Sequence, residues 1–196
     1  MNQAAADQPS FEIRRVAIIG AGVAGRSFAL ACTEAGFHVV LEDVMPANLR
    51  KAEADFADLN RRGTAGRLEL ALTVEDAVRE ADIAVDFVPD ELESKLEIFS
   101  MIDRMAPPKT ILCTPSYALS ITDLASCVYR PERCVAVRGN LVRGDAPVPP
   151  VVRLLYPLAA AESTLTAVDK FLRALGVEVR RETDPEVPLL MKNTVV

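Results

Sequence analysis

The sequence has little of what marks several common classes of protein. It contains one histidine and no tryptophan, and aromatic residues make up 5% of the chain. Its formal net charge of −6 argues against nucleic acid as a partner. No apolar run reaches the roughly 18 residues that a membrane-spanning helix needs. Residues 1–10 lack the basic start and apolar core of a signal peptide, so we expect neither a nucleic-acid partner nor a membrane.

Cysteine is scarce too, and its spacing matches no metal site. The cysteines fall inside apolar or helical segments and lack the paired spacing of zinc ligands, so we expect no bound metal. Reduced, mostly buried thiols are typical of a cytoplasmic protein, which is the predicted location. The four residues are Cys32, Cys113, Cys127 and Cys134.

What is present is the composition of a globular domain. Hydrophobic residues make up 50% of the chain and charged residues 26%. A length of 196 residues is enough for one domain with a sizeable core. Because no repeat or linker divides the chain, we predict a disordered N-terminal tail over residues 1–10 and a single domain over residues 11–196.

The most informative segment runs from Val16 to Asp43. Its first apolar run predicts a buried strand, and Gly20, Gly22 and Gly25 form G-x-G-x-x-G where that strand must end. A helical pattern and a second apolar strand follow, which completes the dinucleotide-binding fingerprint. The first glycine permits the tight turn, the second lets the backbone approach a pyrophosphate, and the third lets the helix pack closely on the strand.

The same segment predicts which dinucleotide is bound. Free N–H groups at the start of the helix, at Val23 and Ala24, would face the phosphates. Asp43 follows the second strand, where an acid binds the adenosine ribose, and either Asp43 or Glu42 would repel the 2′-phosphate of NADP. These residues therefore favour NAD. Two alternatives stay open at this point: FAD, if Glu42 is at the strand tip, and a glycine-rich turn that binds nothing.

Strands alternate with helices along the rest of the chain. Repeated strand–helix units with short links predict an α/β fold with a doubly wound, mostly parallel sheet and helices on both faces. The predicted strands are 16–19, 38–41, 67–72, 83–88, 110–113, 134–137, 151–155 and 178–181. The longer helices after the first are 47–62, 162–175 and one whose apolar face is Leu92, Leu96, Phe99, Ile102 and Met105. The predicted capping pairs are Thr73 with Asp76, Asp90 with Glu93, and Ser120 with Asp123.

Such sheets bind ligands beyond the carboxyl ends of their strands, near the point where the strand order reverses. The segments that follow strands are therefore the candidates for the site. The sole histidine, His38, opens the second strand, so we expect it far from this site. The candidate segments are Gly20–Gly25, Asp43, Val88–Lys95, Thr114–Ala118 and Arg138–Leu141.

Six sequence blocks occur in an informative order. They are G-A-G-V-A-G-R-S, A-G-F-H-V-V-L-E-D, A-D-I-A-V-D-F-V-P-D-E-L-E-S-K, A-P-P-K-T-I-L, L-S-I-T-D-L and R-P-E-R. From about Arg15 to about Thr194, this series resembles the NAD-binding domain of the 3-hydroxyacyl-CoA dehydrogenase family. The resemblance implies a Rossmann-type fold, and it favours NAD over FAD as the cofactor. It also implies that Asp90 and Lys95 lie near the nicotinamide end of the cofactor.

Both of these residues have a second interpretation. Asp90 stands where the family has an acid after V-P, and it is also a candidate helix N-cap, which is compatible with a cofactor contact. Lys95 stands where the family has a lysine five residues later, and it is also a candidate exposed helix residue.

The positions that carry the family's chemistry are not matched. The family uses a histidine base polarised by a glutamate, and a serine and an asparagine help to hold the substrate oxygen. An ungapped alignment places Arg138 at the histidine, Tyr117 at the serine and Leu141 at the asparagine. The glutamate position falls near Arg153, if the Gly/Pro-rich loop carries a short insertion. Arginine cannot act as a base near neutral pH because its pKa exceeds about 12.

The end of the chain also departs from the family pattern. The family continues into a helical domain after a hinge that resembles Lys192–Thr194, whereas this chain ends at Val196. Either the chain is cut at that boundary or it is naturally short, and the replaced dyad favours the second interpretation.

Two functions are compatible with this pattern. One is an NAD-binding protein that lacks 3-hydroxyacyl-CoA oxidation, such as a sensor or assembly partner. The other is an NAD-dependent oxidoreductase of a hydroxyacyl or keto substrate, with Tyr117 and Arg138 as catalytic candidates. Tyr117 would transfer a proton if Arg138 or Lys95 lowered its pKa. The expected partners are the dinucleotide, an acyl-CoA or other anionic substrate, and further copies of the chain.

The same residues also have plainer interpretations. Tyr117 could be a rim aromatic that packs on the nicotinamide ring. Arg138 and Arg153 could hold a carboxylate or phosphate, or they could be solvated residues at strand ends.

Overall fold

Apolar runs and amphipathic segments alternate along the chain, and they form a sheet with helices on both faces. The computed structural model describes residues 11–63, 66–144 and 147–184. The strands are β1 (Arg15–Ile19), β2 (His38–Glu42), β3 (Arg67–Ala71), β4 (Ile83–Asp86), β5 (Ile111–Pro115), β6 (Cys134–Arg138), β7 (Val151–Tyr156) and β8 (Glu178–Thr183). The helices are α1 (Val23–Glu34), α2 (Pro46–Arg61), α3 (Val74–Val78), α4 (Leu92–Met105), α5 (Ile121–Ala125) and α6 (Glu162–Ala174). The tail predicted over residues 1–10 and the hinge-like residues 192–194 lie outside the described residues.

The strand order is β3-β2-β1-β4-β5-β6-β7-β8. The order reverses between β1 and β4, because the chain first builds outwards from β1 to β3 and then returns to the other side of β1. Every neighbouring pair among these strands is parallel except β6 with β7. The predicted doubly wound, mostly parallel sheet is confirmed, and its ligand crevice is expected where the order reverses.

The antiparallel pair of β6 and β7 sets the geometry of the second half of the sheet. Its register places Arg138 opposite Arg153 and Ala136 opposite Leu155. Directly opposite residues lie on the same face of a sheet. The two arginines therefore share the face on which Ala136 packs with Leu124 of α5, while Val137 lies on the other face.

Two apolar layers hold the helices on the sheet. On one face, Phe28 of α1 packs against Phe87 and against Phe171 of α6, with ring centroids 5.4 and 6.2 Å apart. On the other face, Phe99 of α4 and Leu124 of α5 are fully buried. Burying each such side chain contributes about 1.5–3 kcal/mol, so both faces stabilise the sheet whose ends form the site.

Helix α4 differs from its predicted apolar face. Leu92 and Met105 are each 39% exposed, whereas the charged side chains of Lys95 and Asp103 are buried. The Asp103 carboxylate is 2.6 Å from Nε of Arg130, so its charge is paired. The buried face of α4 was predicted from apolar residues alone. That method misses charged residues that are buried because their charge is paired.

Two of the three predicted capping pairs are confirmed. The side chains of Thr73 and Ser120 accept hydrogen bonds from the N–H groups three residues later, at 3.2 and 3.3 Å. The predicted pair of Asp90 and Glu93 is wrong, because α4 begins after Glu91, with no side-chain capping bond. The Asp90 carboxylate instead accepts a hydrogen bond from a different loop, described below.

Strand ends also extend beyond the predicted bounds. Strand β5 continues to Pro115, which pairs with Val137, and β8 continues to Thr183, which pairs with Tyr156. These residues belong to strands because a neighbouring strand pairs with them. The apolar pattern of the sequence cannot predict such pairing.

The remaining general features concern thiols, metals and membranes. Cys32, Cys113 and Cys134 are buried, Cys127 is exposed, and all four are free. Burial raises the pKa of the Cys32 thiol well above its ordinary value. Within the described ranges, no helix is long and apolar enough to cross a membrane. In those same residues, no cluster of three or more histidine, cysteine or acidic side chains could hold a metal ion.

Candidate functional site

The fingerprint loop between β1 and α1 has the close approaches that its glycines permit. Gly20 has φ +100°, a left-handed conformation that favours glycine. A Cβ at Gly25 would lie 1.9 Å from the carbonyl oxygen of Gly20, which is a severe overlap with backbone. Helix α1 therefore lies against the end of β1 only because residue 25 has no side chain.

Gly22 is in the opposite situation, because a Cβ there would meet nothing within 4 Å. Gly22 is the N-cap of α1, where no side chain caps the helix and no acid lies in the first turn. The first residues of the helix, Val23 and Ala24, are exposed. Open space beside an uncapped helix start fits a pyrophosphate, which would accept from the free N–H groups.

Asp43 ties the fingerprint loop to the end of β2. Its carboxylate accepts hydrogen bonds from Ala21 N at 2.8 Å, Met45 N at 2.7 Å and Asn48 Nδ2 at 3.1 Å. A carboxylate offers about four acceptor positions. A ribose hydroxyl would therefore use the remaining position or take the place of Asn48.

Glu42 has a different environment from its neighbour. It is the last residue of β2, it is 3% exposed, and its Cα pairs with those of Ile19 and Ala71. Burial, and then the charge of Asp43, raise the pKa of Glu42 to about 7. Asp43 is thus the acid beyond the strand end, and Glu42 is held within the sheet.

Lys95 lies beneath the crevice. It is 1% exposed, so the alternative of an exposed helix residue is wrong. Its Nζ lies 2.5 Å from Oδ1 of Asp86 and 3.3 Å from the carbonyl oxygen of Pro115. Lys95 therefore ties the end of β4 to the end of β5, where the resemblance had implied a place near the nicotinamide.

A crevice of about 560 Å³ opens beyond β4, β5 and β6. It lies on the far side of β1 from Asp43, which is the side where the nicotinamide half of a dinucleotide belongs in this fold. Most of its walls are apolar. The lining residues are Ala24, Ser27, Phe28, Phe87, Pro115, Tyr117, Val137, Gly139, Asn140, Leu141, Val142, Arg143 and Gly144.

Tyr117 is the aromatic side chain at the mouth of this crevice. It is 72% exposed, and its hydroxyl lies 3.4 Å from the carbonyl oxygen of Gly139. Its backbone N–H donates to Oδ2 of Asp90 at 2.9 Å. The structure thus brings together Tyr117 and Asp90, which the sequence placed in different roles.

Arg138 ends β6 but does not line the crevice. Its Nε donates to the carbonyl oxygen of Ser116 at 3.1 Å, and NH2 donates to that of Leu119 at 3.0 Å. The half-buried guanidinium lies on the α5 face, whereas the crevice is lined by Val137 from the other face. Because two of its three nitrogens bond to backbone, Arg138 is poorly placed to hold an anion.

Arg153 differs from Arg138 despite lying opposite it. It is the third residue of β7, so its predicted place at a strand end is wrong. Its side chain is 51% exposed, with NH1 3.4 Å from Oε2 of Glu182 on β8. Such an exposed pair is weak.

Asp90 is ionised more readily than an ordinary aspartate. Burial would raise its pKa, but hydrogen bonds from the Ser116 side chain and the Tyr117 N–H outweigh it, so the pKa of Asp90 is lowered. Ser116 and Asp86 are site residues that were not predicted individually from the sequence. A buried aspartate within an apolar run, as Asp86 is, needs a cation, and this signal could have identified Lys95 as its partner.

The polar groups on the crevice wall limit its chemistry. They are the side chains of Ser27, Tyr117, Asn140 and Arg143, and no histidine or carboxylate lies among the lining residues that the structure describes. Leu141 is 7% exposed and offers no hydrogen bond to a substrate oxygen. The described residues can hold a dinucleotide, but none of those on the crevice wall is a conventional base.

Comparison with known proteins gives a consistent result. The family model described as "3-hydroxyacyl-CoA dehydrogenase, NAD binding domain" matches residues 15–179. A probable 3-hydroxybutyryl-CoA dehydrogenase of Bacillus subtilis is 30% identical over 178 residues, which cover 84% of this chain and 61% of that protein. An L-carnitine dehydrogenase of Burkholderia mallei is 30% identical over 183 residues, 87% of this chain and 56% of that protein. The chain thus spans less than two thirds of the length of these relatives.

Solved structures agree with the sequence comparisons. The crystal structure of 3-hydroxybutyryl-CoA dehydrogenase from Escherichia coli K12 superposes with a TM-score of 0.76 at 26% identity, covering 88% of this chain and 39% of that one. A 5-formyl-3-hydroxy-2-methylpyridine 4-carboxylic acid 5-dehydrogenase, an NAD⁺-dependent dismutase, gives 0.74 at 26% identity, over 92% of this chain and 60% of that one.

Proposed function

The chain belongs to the 3-hydroxyacyl-CoA dehydrogenase family, as its NAD-binding domain, and from this premise we propose that it binds NAD without oxidising 3-hydroxyacyl-CoA. NAD is the cofactor of this domain. In a dehydrogenase it supplies the acceptor for a hydride.

The residues around the fingerprint loop fit the cofactor. The open space over Gly22 and the free N–H groups of Val23 and Ala24 suit the pyrophosphate. Asp43, beside Gly20–Gly25, would accept hydrogen bonds from the adenosine ribose. The nicotinamide end would then enter the crevice near Tyr117, and Asp90 and Lys95 would act there through the loops they hold.

One observation supports the proposal that this chain does not oxidise 3-hydroxyacyl-CoA. The β6–β7 register pairs Arg138 with Arg153. Arg138 stands at the family's histidine in the ungapped alignment, and the glutamate falls near Arg153 if the Gly/Pro-rich loop carries a short insertion. Neither arginine can accept a proton near neutral pH, because the pKa of arginine exceeds about 12. Among the residues that the structure describes, a substrate hydroxyl in the crevice would therefore find no histidine or carboxylate base as its hydride leaves.

A second candidate function is supported by the position of Tyr117. Its hydroxyl lines the crevice and is within reach of a bound substrate. An oxidoreductase of a hydroxyacyl or keto substrate could use this hydroxyl to move a proton. That function predicts turnover that disappears in Tyr117→Phe, whereas the first function predicts none in either protein.

Calorimetric titration followed by a hydride-transfer assay tests both candidates. We expect NAD and NADH to bind and acetoacetyl-CoA with NADH to give no turnover. The matched control is Gly22→Val, which should fold normally and bind neither nucleotide, because its side chain enters only the space over the loop. Failure of the unmodified chain to bind NADH would overturn the proposal, and turnover that Tyr117→Phe removes would favour the second candidate.

A further inference from the structure

The loop after β5, Ser116–Leu119, is held by hydrogen bonds from both sides. From β6, the Arg138 guanidinium donates to the first and last carbonyl oxygens of this loop, at 3.1 and 3.0 Å. From the loop after β4, the Asp90 carboxylate accepts the Tyr117 N–H at 2.9 Å. Within the loop, Leu119 N donates to Oγ of Ser116 at 3.0 Å. These contacts leave the Tyr117 side chain exposed at the mouth of the crevice.

The contact from β6 requires the shape of arginine as well as its charge. Nε and NH2 reach two carbonyl oxygens that are three residues apart, which needs a planar group with several fixed donors. A lysine at this position would supply one ammonium on a flexible stem. Hydrogen bonds from a charged donor are among the stronger ones, so Arg138 restrains both ends of the loop.

The contact from Asp90 restrains the middle of the same loop. The hydrogen bonds that lower the pKa of this carboxyl come from the Ser116 side chain and from the N–H groups of Tyr117 and Ala118. Because Asp90 is exposed, its removal leaves no buried cavity. The two contacts therefore act on one loop from separate elements, the end of β6 and the loop after β4, and either can be removed by itself.

We propose that Arg138 and Asp90 are positioning residues that hold the Ser116–Leu119 loop, and with it the Tyr117 ring, against the nicotinamide half of the bound cofactor. Arg138 therefore restrains a loop from the position where the alignment has the family's histidine base. This inference rests on the proposed function, since it assigns the crevice beside Tyr117 to the nicotinamide. It adds that the affinity for that half depends on two residues outside the fingerprint.

Arg153 offers a matched control for Arg138. The two side chains carry the same charge and lie opposite each other in the ladder. Arg138 contacts the loop, whereas Arg153, within the described residues, pairs with Glu182 on the other side of β7. If charge near the crevice were what mattered, the two arginines would have similar effects.

The experiment compares NADH with ADP-ribose, which lacks the nicotinamide, as ligands of the whole chain. The variants are Arg138→Gln, Arg138→Lys, Asp90→Ala and the control Arg153→Gln. Hydrogen exchange of the Tyr117 and Leu119 N–H groups in the ligand-free proteins reports the loop directly. Because Asp90→Ala changes an exposed side chain, it tests the inference even if an Arg138 variant folds poorly.

We expect Arg138→Gln, Arg138→Lys and Asp90→Ala each to bind NADH about tenfold more weakly while binding ADP-ribose as before. Exchange at Tyr117 should be about tenfold faster in the same variants, and Arg153→Gln should match the unmodified chain. The double variant of Asp90 and Arg138 should lose little more than either single one, since the loop is already released.

Three results would overturn the inference: equal losses for NADH and ADP-ribose, full retention by Arg138→Lys, or unchanged exchange at Tyr117. A chain that binds neither ligand would refute the proposed function instead, and the exchange measurement would still decide whether the clamp exists.

Discussion

The two halves of the sheet differ in which features of the family's site they share. Around β1 and β2, the glycines and Asp43 keep the fingerprint, with close backbone approach at Gly25 and open space at Gly22. Around β5 to β7, the strands keep their order, but Arg138 takes the alignment position of a base and bonds to backbone carbonyls. The fold places a residue at the site, and the residue's own donors and acceptors decide whether it holds a loop or moves a proton.

Charge pairing also differs from one strand end to another, as the ends of β4 and β6 show. The Lys95–Asp86 pair is buried and has a short contact of 2.5 Å, so removing either partner would leave an uncompensated buried charge. Arg138 and Arg153 are partly exposed, carry like charges and form no ion pair with each other. Arg138 donates to the Leu119 carbonyl oxygen, and Arg153 pairs with Glu182. Removal of either partner of the buried pair should therefore be costly, whereas the loss of Arg153, with its exposed contact, should cost little.

The largest expected effect concerns catalysis in the second half. With NAD and 3-hydroxybutyryl-CoA, we expect turnover below that of ordinary dehydrogenases of this family by at least about 10²–10⁴-fold, the usual contribution of a general base. The physical reason is that the Arg138–Arg153 pair offers no proton acceptor. Stopped-flow measurement of NADH absorbance checks this.

Turnover of 3-hydroxybutyryl-CoA at the rate of ordinary dehydrogenases would show that the second half is catalytically competent, and the contrast with the first half would be lost. Arg138→His should also remain inactive, because Arg153 opposite would disfavour the imidazolium that a glutamate stabilises. Activity in that single variant would show that the missing histidine alone explains the loss.

The next effect is on cofactor binding in the first half. Gly22→Val should weaken NADH binding by at least about 1,000-fold, or about 4 kcal/mol, because the side chain fills the space that the pyrophosphate needs. Calorimetry measures the affinity, and circular dichroism should show an unchanged fold. Gly25→Ala is the contrasting variant: its Cβ would overlap the Gly20 carbonyl oxygen, so the fold itself should be lost. Similar behaviour of the two variants would contradict these separate roles.

Much of the first half could be predicted from the sequence, because its determinants are local. The turn at Gly20, the packing at Gly25 and the acid Asp43 lie in one continuous strand–helix–strand unit. The repeated strand–helix units predicted a doubly wound, mostly parallel sheet, but the order of its strands comes from the structure. Strand ends such as Pro115 were missed because a partner strand defines them.

Less of the second half could be predicted, because its contacts join distant segments. The sequence suggested an N-cap for Asp90, but its partner Tyr117 lies 27 residues away. It left Lys95 either near the cofactor or exposed, because its buried partner Asp86 was not recognised. For Arg138, an alignment identifies the position but not the two carbonyl oxygens that its guanidinium reaches.

The third expected effect is a pH dependence of stability that arises from Glu42 in the first half. Glu42 has a pKa of about 7 in the folded chain against an ordinary value of 4.5. The folded state keeps a proton that the unfolded chain releases, so the free energy of unfolding falls as pH rises from about 4.5 to about 7. At about 1.4 kcal/mol per pKa unit, the free energy of unfolding falls by about 3.5 kcal/mol in all.

Urea denaturation of the unmodified chain and of Glu42→Gln measures this effect. We expect the two proteins to be similar near about pH 4 and the variant to be more stable near about pH 8, because glutamine mimics the protonated acid. A constant difference across this range would show that Glu42 does not titrate as its burial requires.

A smaller effect is expected for the choice of nucleotide. NADP should bind at least about tenfold more weakly than NAD, or about 1.4 kcal/mol, because the Asp43 carboxylate would face the 2′-phosphate. Competition against NADH fluorescence measures both affinities. Equal affinities would refute the role of Asp43 at the ribose. Of the first half, the glycines would then keep their predicted role in cofactor binding.

The smallest expected effect is in the second half, at Arg153. Arg153→Gln removes a half-exposed ion pair with Glu182, 3.4 Å apart, which is worth about 0–1 kcal/mol. It also removes a like charge directly opposite Arg138, which relieves about 0.2–1 kcal/mol of destabilisation. The two terms have opposite signs and similar size, so the free energy of unfolding should change by less than about 0.5 kcal/mol. Urea denaturation at constant pH checks this, and Arg138→Gln should be clearly less stable in the same assay because it breaks two hydrogen bonds. A large loss in Arg153→Gln would mean that this position carries a contact beyond Glu182, and the two arginines would then have to be treated as one unit.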